Sequence, residues 1–305
     1  MLVARPRPPG NLSHLQKLVA EIAGVDGEVK RIQRAIANTI AGQMLPPGVV
    51  KGKTAMKLRL GEAHSQFTPD LDAARKGGLA EDDYMEAFAL RLREGWAGFT
   101  GTVEADTKPA LPDVPDDYIM SPYWIRLSYH GKEWLKVRFE LGRDEVGSTL
   151  VAEPRMADDV VSIFAALGLP TPEPVPLMPV AHQVSQKIHA CTSINPGTGE
   201  NERAHDLVDL QLLSRDGIDL RQTAVIARRL FASRRAQPWP PTVIVFSKWG
   251  TIYIEAADGL GVLPTVEQAA AWANVLIADL DAATPSDNDD DPRGDGAPSG
   301  GATAT

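Results

Sequence analysis

The sequence predicts an α+β fold, in which a mixed β-sheet with flanking helices is followed by a mainly helical C-terminal lobe. The first half of the chain alternates helical apolar periodicity with short β-branched runs, and one hairpin pattern turns at His130, Gly131 and Lys132. Beyond Pro179, apolar residues recur mostly at helical spacing. The chain has 305 residues, of which 43% are hydrophobic, and this length is typical of about two globular domains.

The first half contains the elements of the predicted sheet. After a helical region that two glycines interrupt, PPGVVKG predicts a short strand and a turn. TAMKLRLGEA then predicts a helix, and SQFTPDLDAAR predicts a second strand. AEDDYMEAFALRLREGWAGF has helical periodicity and acidic residues in its first turn, so we expect one amphipathic helix over this whole segment.

The rest of the chain predicts a hairpin and then helices. YIMSPYWIRLSYHGKEWLKVRFELG predicts two antiparallel strands, and a short helix with a proline-rich connector follows it. Four later segments have helical periodicity: AHQVSQKIHACT, RAHDLVDLQLLSR, RQTAVIARRLFASRR and TVEQAAAWANVLIADLDAA. The order of elements therefore separates an α/β part from a helical part.

We expect four parts along the chain: an N-terminal helical segment at 1–45, an α/β lobe at 46–178, a helical lobe at 179–284 and a tail at 285–305. The tail is acidic, rich in glycine, proline and serine, and nearly free of large apolar residues. Such a composition does not bury enough surface to offset conformational entropy, so we predict a disordered tail. The expected place for a ligand is a cleft between the two lobes.

Composition limits the classes of function. The net charge of −9 argues against broad nonspecific nucleic-acid binding, and a single cysteine indicates a reducing cytoplasm. We find neither an apolar run long enough to cross a membrane nor a signal-peptide pattern, so we expect a cytoplasmic protein. Five arginines between 221 and 235 predict either a solvated helix face or a local RNA-contacting surface, and both interpretations stay open.

The triplet Gly52, Lys53 and Thr54 resembles the end of a phosphate-binding P-loop. A P-loop requires a glycine five residues before Gly52, where this chain has Pro47. Proline has no N–H to donate to a phosphate. A P-loop-like nucleoside triphosphatase that uses Lys53 is therefore an alternative interpretation and not the main one.

Asp70 and Asp72 lie two residues apart on a predicted strand, so both carboxylates face one side of the sheet. Two like charges at this spacing stay ionised most easily around a cation. Oxygen ligands of this kind suit Mg²⁺ that is held together with nucleotide phosphates. A solvated strand edge is the alternative interpretation.

Lys187, Arg203 and Asp206 are the candidates in the helical part. A lysine can hold a triphosphate as a compact charge, and Arg203 is a further candidate phosphate contact. Asp206 and Asp209 share one helix face, and Asp206 would either orient Lys187 or act as a base. In the alternative, Asp206 caps its helix or pairs with Arg203. We expect Asp209 to be structural.

Taken together, KGKTAMKLRLGEAHSQFTPDLD, SQKIHACT and RAHDLVDL resemble the AbiEii/AbiGii nucleotidyltransferase toxin family over about residues 45–260. The resemblance assigns the family's glycine turn, strand motif, lysine and D-x-x-D helix to these residues: Gly52, Thr54, Thr68, Asp70, Asp72, Lys187, Asp206 and Asp209. The order of strand, turn, helix and strand also resembles the core of the DNA polymerase β superfamily. There a third carboxylate comes from a neighbouring strand, and this makes Glu140 a candidate metal ligand beside Asp70 and Asp72, with an exposed strand residue as the alternative interpretation.

The resemblance implies a nucleotidyltransferase-like fold and a toxin of toxin–antitoxin and phage-defence systems. Such an enzyme would transfer a nucleoside monophosphate from an NTP, with Mg²⁺, to an RNA 3′ end, and tRNA is the expected acceptor. The glycine turn, Lys53, Thr54, Thr68 and Arg203 would bind the nucleotide. The expected partner is a cognate antitoxin encoded nearby. In some relatives the antitoxin phosphorylates a hydroxyl just before D-x-D, a place that Thr68 occupies here.

Two positions depart from the family pattern. Lys53 replaces a small residue after the turn glycine, and Gln186 replaces the glutamate before Lys187. Both departures favour the alternative of a catalytically silent binding protein that keeps the fold. The histidines lack a zinc-binding frame, and we expect Trp239 and Trp249 to pack within the helical lobe rather than stack on RNA.

Overall fold

The computed structural model describes residues 2–106 and 120–283, and these form an α+β structure around one seven-stranded mixed sheet. The strands are β1 (Gly48–Lys51), β2 (Asp70–Arg75), β3 (Phe99–Ala105), β4 (Ser121–Tyr129), β5 (Lys132–Gly142), β6 (Glu153–Arg155) and β7 (Val175–Leu177). The helices are α1 (Leu12–Ala23), α2 (Asp26–Gln43), α3 (Gly52–Leu60), α4 (Glu81–Glu94), α5 (Asp158–Leu167), α6 (Val180–Thr192), α7 (His205–Leu213), α8 (Leu220–Arg234), α9 (Trp249–Ala257) and α10 (Val266–Ala282). The predicted fold class is confirmed, and the predicted disorder of the tail lies outside the described residues.

Strand β2 lies in the middle of the sheet, whose order is β3-β4-β5-β2-β1-β7-β6. It pairs with β1 in antiparallel fashion and with β5 in parallel fashion. The predicted hairpin forms β4 and β5, which turn at His130 and Gly131. Because β2 has a neighbour on each side, its side chains lie in rows with those of β1 and β5.

Two large hydrophobic cores hold the molecule together. The first joins the N-terminal helices to one face of the sheet and includes Leu15, Ile40 and Phe139. The second lies among α6–α10 and includes Trp249, and Met56 of α3 belongs to it. Helix α3 therefore contacts both cores. The domain bounds at 46–178 and 179–284 remain our proposal.

Several elements differ from the sequence prediction. The predicted helix at 80–99 is wrong in its last turn: α4 ends at Glu94, because Gly95 follows with a φ of +79° and the chain turns into β3. Strand β3 has a central glycine and, within ranges 2–106 and 120–283, pairs only with β4, so its pairing rather than its composition defines it. Helix α9 is rich in β-branched and aromatic residues, and burial of Trp249 and Tyr253 overrides its weak helix propensity.

The predicted packing of Trp239 and Trp249 within the helical part is confirmed, since both contact the second core and Trp249 is fully buried. Among the described residues, no helix has the length and apolar character that crossing a membrane requires.

Candidate active site

Charged side chains form two neighbouring rows across the centre of the sheet. Lys51 of β1 lies opposite Asp72 of β2, and Asp72 lies opposite Glu140 of β5. In the next row Asp70 lies opposite Arg138. Residues that pair in this way point to the same face of a sheet. The two predicted aspartates and the predicted third carboxylate therefore share one face, together with a lysine and an arginine that sequence reasoning missed.

Buried polar contacts fix the beginning of β2. The Thr54 hydroxyl donates to the backbone carbonyl of Asp70 over 2.7 Å, and the Asn38 amide donates to the same carbonyl and to Thr54, each over 3.1 Å. Thr54 is only 1% exposed. The Thr54 hydroxyl therefore holds the strand that carries Asp70, and nucleotide binding by Thr54 stays a prediction.

Gly52 connects β1 directly to α3 and lies against Asp72. Its φ is +62°, a left-handed conformation that favours glycine. A Cβ atom at this position would overlap the Oδ2 atom of Asp72. The turn therefore needs glycine for two reasons, and it directs the N-terminal end of α3 toward the carboxylates, where a helix favours negative charge.

Asp70 and Asp72 are poorly neutralised. Burial raises the pKa of both carboxyls, and for Asp72 it does so to about 6, with further contributions from the charges of Glu140 and Asp70. Lys51 opposes this effect, but burial also lowers the pKa of Lys51 itself. Within the described part of the chain, no hydrogen bond or ion pair reaches either carboxylate. The pair therefore has an unmet need for positive charge.

The opposite wall of the site is a buried ion cluster. The Lys187 ammonium donates to Oδ1 of Asp206 over 2.6 Å and to Oδ2 of Asp209 over 2.5 Å, and both aspartates are fully buried. Arg203 also donates to Asp206, over 2.7 Å. Asp209, which we expected to be structural, has the same kind of contact with Lys187 as Asp206 has. Burial disfavours the charged lysine, yet the two aspartates outweigh it and hold the pKa of Lys187 well above its usual range.

The two walls face each other. Gln66, which precedes β2, donates to Asp209 over 2.8 Å and to the His205 carbonyl over 3.0 Å. The charge of Lys187 favours ionised Asp72. Lys53 is partly buried at the start of α3, and burial lowers its pKa. The charge of Asp209 raises this pKa and the charge of Lys187 lowers it, so both groups lie near Lys53. The cationic groups of α3 and α6 thus lie beside the two sheet aspartates.

A second polar network links the sheet to the helices beside Lys187. Glu145 follows β5 and accepts two hydrogen bonds from Arg234 of α8, over 2.5 and 2.7 Å, and one from Gln186 over 2.8 Å. Burial opposes ionisation of Glu145, but these donors keep its pKa below the usual range. Gln186 therefore has a partner here, and Arg234 lies in this network rather than on a surface patch.

Three predicted residues differ in their surroundings. Glu140 lies opposite Asp72, but its carboxylate pairs with Arg138 over 2.9 Å. In the described ranges no three carboxylate, histidine or cysteine side chains converge as a metal-binding group. Thr68 is 4% exposed, whereas the side chain of Arg203 is 50% exposed and can reach solvent. Glu140 as a metal ligand therefore stays a prediction.

Comparison with known proteins identifies the family of the chain, and the chain also resembles a solved structure. The sequence model of a family described as the nucleotidyl transferase AbiEii toxin of type IV toxin–antitoxin systems matches residues 12–289. A solved structure, the nucleotidyltransferase toxin MenT4 from Mycobacterium tuberculosis, is 17% identical with a TM-score of 0.49, over 88% of this chain and 99% of that one. No curated protein matches the chain.

Proposed function

The chain belongs to the AbiEii family of nucleotidyltransferase toxins, and on this premise we propose that it transfers a nucleoside monophosphate from an NTP to the 3′ hydroxyl of an RNA, with tRNA as the acceptor. The hydroxyl oxygen would form a bond to the α-phosphorus, and the bond from that phosphorus to pyrophosphate would break. The type IV systems that define the family imply an antitoxin partner. We place the reaction in the cytoplasm.

The observation that carries this proposal is the contrast in charge across the site. Among the described residues, Asp70 and Asp72 have no ion pair and accept no hydrogen bond on their carboxylates, and although nearby cations oppose the effect, burial and nearby carboxylates raise the pKa of Asp72 to about 6. Lys53 and Lys187 lie beside them with positive charge. A divalent cation supplies the charge that the aspartates lack, and the nucleotide phosphates bound with it would lie beside Lys53, which has no ion pair in the described part of the chain.

The two sheet aspartates fit Mg²⁺ as a resident cofactor. Mg²⁺ is usually held by one or two protein carboxylates together with substrate phosphates and water. Asp70 and Asp72 provide that number on one face, and their mutual repulsion would be relieved by a cation. When bound, the ion neutralises the triphosphate and helps to align the attacking oxygen.

The remaining residues would bind and orient the nucleotide. Lys187 and the exposed part of Arg203 would contact the triphosphate, and the start of α3 would add positive potential. Asp206 would orient Lys187 rather than act as a base. Burial raises its pKa, but Lys187 and Arg203 outweigh burial and keep the pKa well below the usual range, so the carboxylate has little tendency to accept a proton.

Thr68 would serve as the regulatory position only after a local movement. Its hydroxyl lies 3.4 Å from the Asp70 amide, and the residue is buried. A kinase-like antitoxin needs an exposed hydroxyl, so we propose that phosphorylation would require the segment before β2 to open. A phosphate there would place about two negative charges beside Asp70.

One assay separates this function from its alternatives. The protein is incubated with Mg²⁺, α-labelled NTPs and total tRNA, and label on the RNA is measured. We expect label with the natural sequence, loss of label with Asp70→Ala and with Lys187→Ala, and reduced but measurable label with Lys53→Ala. Free phosphate without labelled RNA, lost in Lys53→Ala, would favour the nucleoside triphosphatase. Absence of any turnover would favour the silent binding protein.

A further inference from the structure

Trp124 differs from every other tryptophan of the chain. All six tryptophans lie in the described ranges, and five contact one of the two large cores: Trp96, Trp134, Trp239, Trp249 and Trp272. Trp124 belongs to neither core and is partly exposed on β4. Its ring therefore offers a partly exposed aromatic surface on the sheet, which is suited to stacking with a ligand.

The register of the sheet connects Trp124 to the aspartates. Asp70 lies opposite Arg138, and Arg138 lies opposite Trp124. These three residues therefore point to one face, in one row across β2, β5 and β4. Two strand spacings put Trp124 about 10 Å from Asp70, a distance that the terminal nucleotides of a single strand can bridge.

Cations surround the ring on the same face. The Lys136 ammonium lies 4.1 Å from the centre of the Trp124 ring. Lys136 lies opposite Arg126, whose side chain is 41% exposed, and Arg138 is 39% exposed. Arg126 pairs with Glu104 and Arg138 with Glu140. Exposed ion pairs of this kind contribute little stability, so phosphate oxygens can replace the carboxylates.

The positions of the lysines indicate that the face around Trp124 binds the acceptor rather than the NTP. Lys51 and Lys53 lie on the β1 side of Asp72, and Lys187 lies on α6 near that side. The other side of the aspartates continues through β5 to Trp124. An NTP held by the lysines therefore occupies the β1 side, and the attacking hydroxyl approaches from the side of β5 and β4.

We propose that the face formed by Trp124, Arg126, Lys136 and Arg138 binds the single-stranded 3′ end of the RNA acceptor, with a base stacked on Trp124 and backbone phosphates on the three cations. Stacking on an aromatic ring accepts any base, and cations on the same sheet follow the backbone. Lys136 moves from the ring to a phosphate when the base stacks. This inference rests on the proposed transfer to RNA and specifies where the acceptor lies.

The test measures RNA binding and nucleotide binding separately on the full chain. A fluorescently labelled, single-stranded RNA with a free 3′ hydroxyl is titrated and followed by anisotropy. We expect Trp124→Ser to weaken RNA binding at least about fivefold, Trp124→Phe to weaken it less, and Lys136→Gln to weaken it with a shallower salt dependence. Lys132→Gln is the matched control, since Lys132 is an exposed lysine at the hairpin end of the same strand.

Affinity for NTP and Mg²⁺ should be the same in all four variants and in the natural sequence, which also shows that the variants are folded. Wild-type RNA affinity in Trp124→Ser, or no RNA binding by the natural sequence, would overturn the inference. RNA binding that depends on Trp124 without transfer of label would support this surface and refute the proposed reaction. Transfer of label with an unchanged KM for RNA in Trp124→Ser would support the reaction and refute this surface.

Discussion

The site contains two pairs of aspartates that differ in burial and in their ion-pair partners. Asp206 and Asp209 on α7 are fully buried and share the ammonium of Lys187. Asp70 and Asp72 on β2 are partly exposed and, among the described residues, have neither an ion pair nor a hydrogen bond to their carboxylates. The first pair has its ion-pair partner within the protein, whereas the second pair has no such partner among the described residues.

From this difference we propose that the first pair supports the structure and that the second pair supports the chemistry. A buried carboxylate is tolerated when cations and hydrogen bonds satisfy it, and removal of a partner is then strongly destabilising. A carboxylate with a raised pKa and no partner destabilises the fold and persists where it has a functional role. The four predictions below test this contrast, from the largest expected effect to the smallest.

Lys187→Met should have the largest effect on stability. The change leaves Asp209 buried without its cation, and breaking a buried ion pair costs about 3–5 kcal/mol in the free energy of unfolding. Chemical denaturation measures this loss, and nucleotide transfer should be lost as well. Lys53→Met is the matched control, because Lys53 has no ion pair within the described residues. If Lys187→Met unfolds at the same denaturant concentration as the natural sequence, the cluster does not support the fold.

Asp72→Asn should act on activity and leave stability intact. We expect transfer to fall roughly 1,000-fold, because a metal-binding carboxylate contributes several kcal/mol to the transition state. The free energy of unfolding should stay equal or rise, since the change removes a charge that burial disfavours. Asp216→Asn, on the exposed loop after α7, serves as control. A large loss of stability in Asp72→Asn would contradict the contrast between the two pairs.

Gly52→Ala should reduce both the stability and the transfer activity, each by a smaller amount. A side chain in this left-handed conformation costs about 1–2 kcal/mol, and the new Cβ would displace the Asp72 carboxylate. A small displacement of a catalytic group lowers activity about 10–100-fold.

Gly24→Ala separates the two causes. Gly24 also has a positive φ, of +73°, but no atom lies within 4 Å of its added Cβ. It should lose a similar amount of conformational stability and keep full transfer activity. Equal activity in the two alanine variants would show that Gly52 does not position Asp72.

His189 should produce the smallest effect at neutral pH, since it acts only on the pH dependence of stability. Burial and the charge of Arg234 lower its pKa from 6.5 to about 4. The unfolded chain therefore binds the proton first as pH falls, so stability is lost between about pH 6.5 and 4, by about 3 kcal/mol at most. His189→Asn should flatten this part of the profile in denaturation experiments. His14→Asn, at an exposed position of α1, should leave it unchanged.

Local patterns predicted much of this structure. Asp70 and Asp72 share a face because strand side chains alternate, and Asp206 and Asp209 share a face because three residues nearly complete a helical turn. Strand β3 could not be predicted in this way, since its glycine and its position at the edge of the sheet give only a weak pattern. The preceding helix was therefore predicted too long.

Long-range pairing decided the composition of the site. Lys51 and Arg138 join the aspartates only because β2 pairs with β1 on one side and with β5 on the other. Asn38 and Thr54 were directed to the Asp70 carbonyl by the packing of α2 and α3. Glu145 likewise meets Arg234, which is 89 residues away in the sequence. No local pattern contains these contacts.

The sequence by itself determined most of the helices and the central strands, which acidic residues share a face, and to which family the chain belongs. Each of these depends on spacing within a few residues, or on motifs that can be read along the chain. Only the tertiary structure decided which charged side chains have an ion-pair partner and which, among the described residues, have none. Burial and the distance to a partner set that balance, and both arise from segments that folding brings together from far apart in the sequence.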